Sequence, residues 1–398
     1  MDFRFSEKEE ALRREVIEFC KRELPPDWRG GLLEAADTDE AWAFSMKMSK
    51  KLAQKGWLTM AWPKEYGGMG ASIMEQLVYR EETAYWGVPG TGMGVGGVDW
   101  VGPSLMIYGT EEQKKTYLPM IASGEEDGVW CTGYSEPGAG SDFASIQTRA
   151  VREGDEYVIN GQKVWTSEAH RSRWCWLAAR TDPDAPKHKG ISVFIVDMKS
   201  PGITVRPLIN MAGIHSFNEV FFDDVRIPAS NLVGEENRGW YQLMVSLSYE
   251  RSGVGFSAMA RRTLYDLVEY ARETKRDGDV IAKDPLIRQK LAEIAVEIEV
   301  ARYLSYRVAW MQSKGLIPIH EASMGKVFGD EVNERLANVG MQVMGLYCQL
   351  EPGSKWAPLR GRIERMYVSV PGFKIAAGSD EIQKNIIAMR GLGLPRSY

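Results

Sequence analysis

The spacing of apolar residues changes twice along the chain. In the first third it follows a helical period. Ser6 and Glu9 stand at capping-box spacing, and Leu12, Val16 and Phe19 behind them fall on one helical face. Amphipathic stretches follow over 40–56 and 74–86, punctuated by Gly67-Gly-Met-Gly, and 111–124 predicts a helix stopped by Gly124. Residues 87–102 are rich in glycine, which is unusual inside a helical region. In the middle third the period shortens. Alternating stretches across Val151–Val164 flank Asn160-Gly161, a pair that predicts a turn between strands. Trp174–Ala179 and Gly190–Val196 predict strands, and Ile203–Pro207 and Glu219–Phe222 continue the pattern between prolines and glycines. From Glu235 the helical period returns over 238–274, 285–314, 319–346 and Asp380–Met389. The expected fold class is α+β: an N-terminal helical domain over 1–126, a middle β-sandwich or barrel over 127–234, and a C-terminal helical bundle over 235–398.

Composition narrows the function classes. The chain has 398 residues, 44% hydrophobic and 26% charged, enough for more than one core. No apolar run approaches the roughly 20 residues that span a bilayer, and the N-terminus lacks a signal-peptide core. A net charge of -5 gives no basic face for nucleic acid. Cys20, Cys131, Cys175 and Cys348 are scattered without a CxxC pair, as expected of reduced thiols in a cytoplasmic protein. The four histidines stand at no ligand spacing, so no metal site is expected. Thirteen tryptophans suit either core packing or an apolar cavity that stacks on an aromatic cofactor.

The densest chemical signal is Tyr134-Ser-Glu-Pro-Gly-Ala-Gly-Ser-Asp142. Its glycines and Ser141 can bring backbone amides and a hydroxyl close to an anion such as a pyrophosphate. A plain turn explains Gly-Ala-Gly equally well, and no strand–GxGxxG–helix unit surrounds it. The combination is specific: this block is followed by Asn160-Gly-Gln-Lys-Val-Trp-Thr and Gly190-Ile-Ser-Val-Phe-Ile-Val. Trp62-Pro-Lys-Glu-Tyr-Gly-Gly, Tyr108-Gly-Thr-Glu-Glu-Gln-Lys, Val220-Phe-Phe-Asp-Asp-Val-Arg-Ile-Pro, Val233-Gly-Glu-Glu-Asn-Arg-Gly-Trp and Gly378-Ser-Asp-Glu-Ile-Gln-Lys extend the pattern. With these motifs the chain resembles the acyl-CoA dehydrogenase family along essentially its whole length.

The resemblance implies FAD as cofactor, an acyl-CoA thioester as substrate, electron-transfer flavoprotein as acceptor, and a homotetramer or mixed tetramer. It places Tyr134, Ser135, Gly140 and Ser141 at the flavin and its phosphates, and Trp165 and Ser167 beside the isoalloxazine. Gln342 and Gly345 match contacts to the adenosine half from a neighbouring subunit, and Ser379 and Glu381 lie where the C-terminal segment meets the flavin. Ser141, Arg251 and Gly378 match substrate contacts. Two departures stand out: the Arg-x-x-Phe-Gly pattern of many members is here Thr274-Lys-Arg-Asp-Gly278, and Leu346 replaces a second glycine.

The family reaction needs a base for the proton alpha to the thioester, and hydrogen bonds to the carbonyl. Many members carry a glutamate where this chain has Ala377, whose backbone N–H can still polarise the carbonyl. A second subgroup supplies the base from a helix, and Tyr249-Glu-Arg-Ser252 matches it, making Glu250 the candidate. Leu243, Leu247, Glu250 and Val254 form an apolar helical stripe in which a carboxylate is partly desolvated. The competing reading pairs Glu250 with Arg251 or another arginine on a half-exposed face. Asp99, the one charged residue between Trp86 and Gly109, either caps or turns the chain, or acts as base in a remote (1,4-type) dehydrogenation of a cyclic enoyl-CoA. The surrounding glycines are expected to leave room for a ring. The displaced base resembles members that accept branched, cyclic or steroid-derived acyl groups. Two other classes stay open: a non-catalytic partner subunit, and an oxygen-using relative such as a flavin monooxygenase or nitroalkane oxidase.

Overall fold

The computed structural model describes residues 4–28, 38–246 (the Ser246 side chain excepted) and 252–396. The helices are α1 (Glu7–Glu23), α2 (Asp39–Gln54), α3 (Ile73–Trp86), α4 (Gly102–Tyr108), α5 (Glu111–Ser123), α6 (Gly239–Ser246), α7 (Val254–Glu273), α8 (Pro285–Ser313), α9 (His320–Met344), α10 (Arg362–Phe373) and α11 (Asp380–Ile386). The strands are β1 (Trp130–Gly133), β2 (Arg149–Glu153), β3 (Glu156–Lys163), β4 (Trp174–Arg180), β5 (Ile191–Asp197), β6 (Ile203–Ile209), β7 (His215–Pro228), β8 (Leu232–Val233), β9 (Lys275–Arg276) and β10 (Asp279–Val280). The order helices, strands, helices is the one the periodicity predicts. No helix of the described residues is long and apolar enough to cross a membrane. Two compact units result, one of Met1–Ala35, Ser72–Val88 and Arg251–Tyr398, the other of Ala36–Ala71 and Pro89–Glu250.

In the first unit the capping box of α1 is formed: Ser6 Oγ accepts from the Glu9 amide and Glu9 accepts from the Ser6 amide. Val16 and Phe19 are buried as the stripe requires. The main core is made by Leu264 and Leu267 of α7, Leu291, Ile294 and Ile298 of α8, Leu336 and Val343 of α9, and Ile363 and Met366 of α10. The helix predicted over 238–274 is two helices. Gly253, with φ +65°, takes the left-handed conformation that a side chain resists, and α7 starts fresh at Val254. Leu247 and Glu250 of the expected stripe, and Arg251 next to them, lie outside the described residues.

The second unit is built on one sheet with strand order β6-β7-β3-β2-β4-β5-β8, and β1 pairs parallel with β4. Its two antiparallel halves join through a single pair, Arg149 opposite Arg180. Tyr157, Ile159, Cys175, Leu177, Phe194, Val196, Val220 and Phe222 alternate into the core. The turn expected at Asn160-Gly161 is instead a bulge inside β3. Asn160 is pinned to Asp224 of β7 by two hydrogen bonds of 2.9 Å. Gly161 is required there because a Cβ would lie 2.6 Å from Thr148 Oγ1. The chain reverses earlier, at Gly154-Asp155, where Gly154 has φ +64°.

The glycines of 87–102 also differ from expectation. A Cβ at Gly94 would sit 2.1 Å from the Trp130 carbonyl oxygen, one at Gly96 2.4 Å from the Trp100 ring, and one at Gly102 2.0 Å from the Trp62 ring. These three glycines are required by the close approach of the protein's own backbone and indoles.

Candidate active site

β1 delivers Tyr134 and Ser135 to the mouth of a loop. Glu136 and Ala139 exchange two backbone hydrogen bonds of 3.0 Å around Pro137-Gly138, so the loop leaves the sheet tightly. A Cβ added at Gly138 or Gly140 would meet nothing within 4 Å, and Ser141 beside them is exposed. Asp142 closes the loop on Ser145 Oγ at 2.5 Å and on Lys187 at 2.9 Å.

Beneath this loop lies a buried ion pair that the sequence reading did not single out. Lys163 is fully buried and donates to Glu136 Oε1 at 2.7 Å and to the Tyr134 carbonyl at 3.0 Å. Glu136 also accepts from the amides of Gln147 at 2.5 Å and Thr148 at 2.9 Å. Burial works against the Glu136 charge, but Lys163 and the Gln147 amide outweigh it and hold the carboxyl below its usual range. Burial pushes the Lys163 amine down to about 8, which leaves it protonated at neutral pH. Lys163→Met therefore strands a carboxylate in the interior. We expect a loss of about 3–5 kcal/mol, measured by chemical denaturation at pH 7. Because the folded Glu136 pKa lies below the unfolded value, its contribution holds above the ordinary carboxylate range and fades as pH falls through the lowered value. The wild-type advantage should narrow accordingly in acid.

The end of β3 carries the second half of the site. The Val164 amide donates to the Ser135 carbonyl at 2.9 Å, so the segment with Trp165 and Ser167 lies against the one with Tyr134 and Ser135. Trp165 has φ +59° and Glu168 φ +56°, a conformation that costs a non-glycine residue about 1–3 kcal/mol. Trp165 is 60% exposed and makes an edge contact to the Phe217 ring at 5.8 Å. Ser167 is half-buried at the same turn. A strained turn thus holds a large indole in the open, where its face can pack against a flat group.

Ala377, Gly378, Ser379, Glu381, Gln342 and Gly345 belong to the first unit. Ala377 (φ +53°) and Gly378 (φ +84°) form a left-handed step before α11, and Ala377 is exposed. Gln383 Nε2 donates to the Ala377 carbonyl at 3.2 Å, and a Cβ at Gly378 would lie 2.7 Å from that nitrogen. Ser379 caps α11 and Glu381 is exposed on its first turn; its own backbone amide and Ser379 hold its carboxyl below the usual range. Gln342 is exposed near the end of α9, where its Oε1 accepts from Lys290. Gly345 follows with φ +63°, and the Arg276 guanidinium packs 3.4 Å from the place of its missing Cβ while donating to the Val343 carbonyl. The arginine displaced in sequence thus reaches Gly345 within one chain. Leu346 is 81% exposed.

Asp99 lies in a single π-turn, Gly97–Val101, whose N-cap is Gly96, and it is half-buried there. Glu250 and Arg251 lie outside the described residues. A cluster of Asn218, His170 and His215 behind Trp165 was also missed; an asparagine at a buried strand position is the signal that could have found it.

Three features of the second unit fit a flat, phosphate-bearing ring system. The Tyr134 hydroxyl is buried with no partner among the described residues, the Gly138–Gly140 segment is open to an anion, and the Trp165 indole is free to stack. Comparison with known proteins agrees. The family models for the acyl-CoA dehydrogenase N-terminal, middle and C-terminal domains match residues 6–125, 131–225 and 237–392. Acyl-CoA dehydrogenase FadE26 of Mycobacterium tuberculosis is 37% identical over 405 residues, covering 100% of both chains. Among solved structures, the Tcur3481-Tcur3483 steroid ACAD superposes with TM-score 0.90 at 36% identity, covering 100% of both chains. The ChsE4-ChsE5 complex of Mycobacterium tuberculosis does so with TM-score 0.88 at 37% identity, again over 100% of both chains. The chain belongs to the acyl-CoA dehydrogenase family, flavoprotein oxidoreductases that act on the CH–CH bond of acyl-CoA thioesters.

Proposed function

We propose that this chain is a cytoplasmic FAD-dependent dehydrogenase that desaturates the alpha,beta bond of a branched, cyclic or otherwise bulky acyl-CoA. The observation that carries the reading is Ala377: a methyl group stands on an exposed left-handed step where many relatives hold their base. Likeness at full length to a steroid ACAD supports the bulky substrate. Glu250 takes the alpha proton. The Ala377 N–H hydrogen-bonds the thioester oxygen and stabilises the negative charge that develops there. FAD, when bound, accepts the hydride from the beta carbon. Tyr134, Ser135, Gly140 and Ser141 hold the cofactor in the second unit, Trp165 covers its ring, and Ser167 presents a hydroxyl to it. Gln342 and Gly345 are assigned to its adenosine half from a neighbouring subunit, Ser379 and Glu381 to the flavin, and Ser141, Arg251 and Gly378 to the substrate. Electron-transfer flavoprotein is the acceptor, in a homotetramer or a mixed tetramer; a relative solved as a complex of two named chains favours the mixed form.

The test is anaerobic bleaching of the bound flavin across linear, branched and cyclic acyl-CoA thioesters. Bulky thioesters should reduce it fastest. Equal or faster reduction by short linear thioesters would overturn the substrate assignment. A chain that is colourless when purified alone, and coloured and active only with a second chain, would move the reading to the mixed assembly.

A further inference from the structure

We propose that Asn218 is a positioning residue that locks the Trp165–Glu168 turn through a pair of stacked histidines. The proposal rests on the reading of that turn as facing the flavin. The turn contains two non-glycine residues in the left-handed region and needs a restraint that holds them there. Asn218, on β7, is completely buried behind it. Its backbone exchanges hydrogen bonds with Thr166, amide to carbonyl, at 3.0 and 3.1 Å. Its side chain then binds the same peptide again, with Nδ2 donating to the Thr166 carbonyl at 3.0 Å. One neighbouring backbone bond, Glu168 amide to Ser216 carbonyl at 3.0 Å, holds the far end of the turn.

The rest of the carboxamide is used as well. Asn218 Oδ1 lies 2.8 Å from His215 Nε2, and Nδ2 lies 3.1 Å from His170 Nδ1. With one Nδ2 hydrogen on Thr166, the other points at His170, so His170 Nδ1 accepts and His215 Nε2 donates. The reversed amide would face an oxygen to the Thr166 carbonyl. The two imidazoles stack at 4.0 Å with 23° between their planes. His170 lies five residues beyond Trp165 on the same segment, and His215 opens the strand that carries Asn218. The stack therefore joins the two segments a second time, and Asn218 fixes the tautomer of each ring. The Phe217 edge on Trp165 makes the last contact, so a shift of β7 at 217–218 moves the indole directly.

The test uses the full-length holoprotein carrying Asn218→Leu, which keeps volume, and Asn218→Asp, which keeps shape but supplies no hydrogen to Thr166 or His170. Melting curves check that the sheet is intact. Both variants should raise the FAD dissociation constant by about tenfold, the factor set by one or two lost hydrogen bonds. Both should blur the vibronic structure of the flavin absorption band. In protein labelled with 15N-histidine, which has four histidines, the ring signals of His170 and His215 should move off their fixed tautomers. A wild-type protein that binds no FAD would overturn the flavin reading alone, and the histidine signals would then decide the positioning role by themselves. Folded variants with wild-type flavin affinity, spectrum and histidine tautomers would overturn the role of Asn218.

Discussion

Glu81→Gln should lower the melting temperature by about 6–20 °C, the equivalent of about 3–5 kcal/mol lost from a buried charge network. Four groups converge on the Glu81 carboxylate, which is 1% exposed. Arg13 Nη1 of α1 lies 2.8 Å from Oε2, and Arg302 Nε of α8 lies 2.6 Å from Oε1. The Tyr306 hydroxyl donates to Oε2 at 2.7 Å, and Arg261 of α7 stands 3.7 Å from Oε1. One side chain on α3 thus ties together three other helices of the first unit. Glutamine keeps the shape but removes the charge, and its NH2 group faces donors instead of acceptors. Burial pushes the Glu81 carboxyl up, yet Arg302, Tyr306 and Arg13 outweigh it and hold the group below its usual range. With the folded value below the unfolded one, the stabilisation is complete above about pH 4.3 and is lost as pH falls through the folded value. Glu82 next to it is pushed up by burial, so its own contribution has the opposite sign. The gap between wild type and variant should therefore be widest at neutral pH and close in acid. A melting temperature within about 2 °C of wild type at pH 7 would mean that the network is not cooperative.

The layering of the fold was legible because period is a backbone property. A stripe at 3.6 residues and an alternation at two describe which face is buried, and α1, α8, α9, β4 and β5 follow from that alone. What was not legible depends on partners distant in sequence. Asn160-Gly161 carries the local signature of a turn, but Asp224 lies 64 residues away and holds Asn160 in a strand. The helix expected over 238–274 breaks at Gly253, a residue that a propensity argument tolerates in a helix at a modest cost. The glycines of 87–102 carry no local sign of their packing role, and only the tertiary structure shows the indoles of Trp62 and Trp100 against Gly102 and Gly96.

The chemistry divides in the same way. The motif around Tyr134 and that around Trp165 could be read separately, and the Val164–Ser135 hydrogen bond places them side by side. Arg276 looked displaced, and it nevertheless reaches Gly345 because the β9–β10 hairpin folds it back onto the end of α9. Groups that work by burial escaped notice. Lys163 and Glu81 look like ordinary surface charges in the sequence, and Asn218 like an ordinary strand polar residue. Their importance is visible only once the surrounding side chains are in place.

Glu250→Gln carries the other large effect. If Glu250 takes the alpha proton, glutamine keeps its volume and its hydrogen-bonding reach but cannot accept that proton. Removing a positioned base of this kind slows the chemical step by about 10²–10⁴-fold. FAD binding should be unchanged, because every residue assigned to the cofactor is elsewhere. Ala377 cannot substitute, since its methyl has no acceptor. Asp99 can, if the proton removed is remote from the thioester, so Asp99→Asn is the matched control. The central claim is that the base vacancy at Ala377 is filled by Glu250, and anaerobic stopped-flow bleaching of the flavin by one bulky acyl-CoA tests it most directly. The account predicts a flavin-loaded Glu250→Gln protein that bleaches at least about a hundredfold more slowly than wild type, with Asp99→Asn close to the wild-type rate. A Glu250→Gln protein that bleaches at the wild-type rate would contradict it.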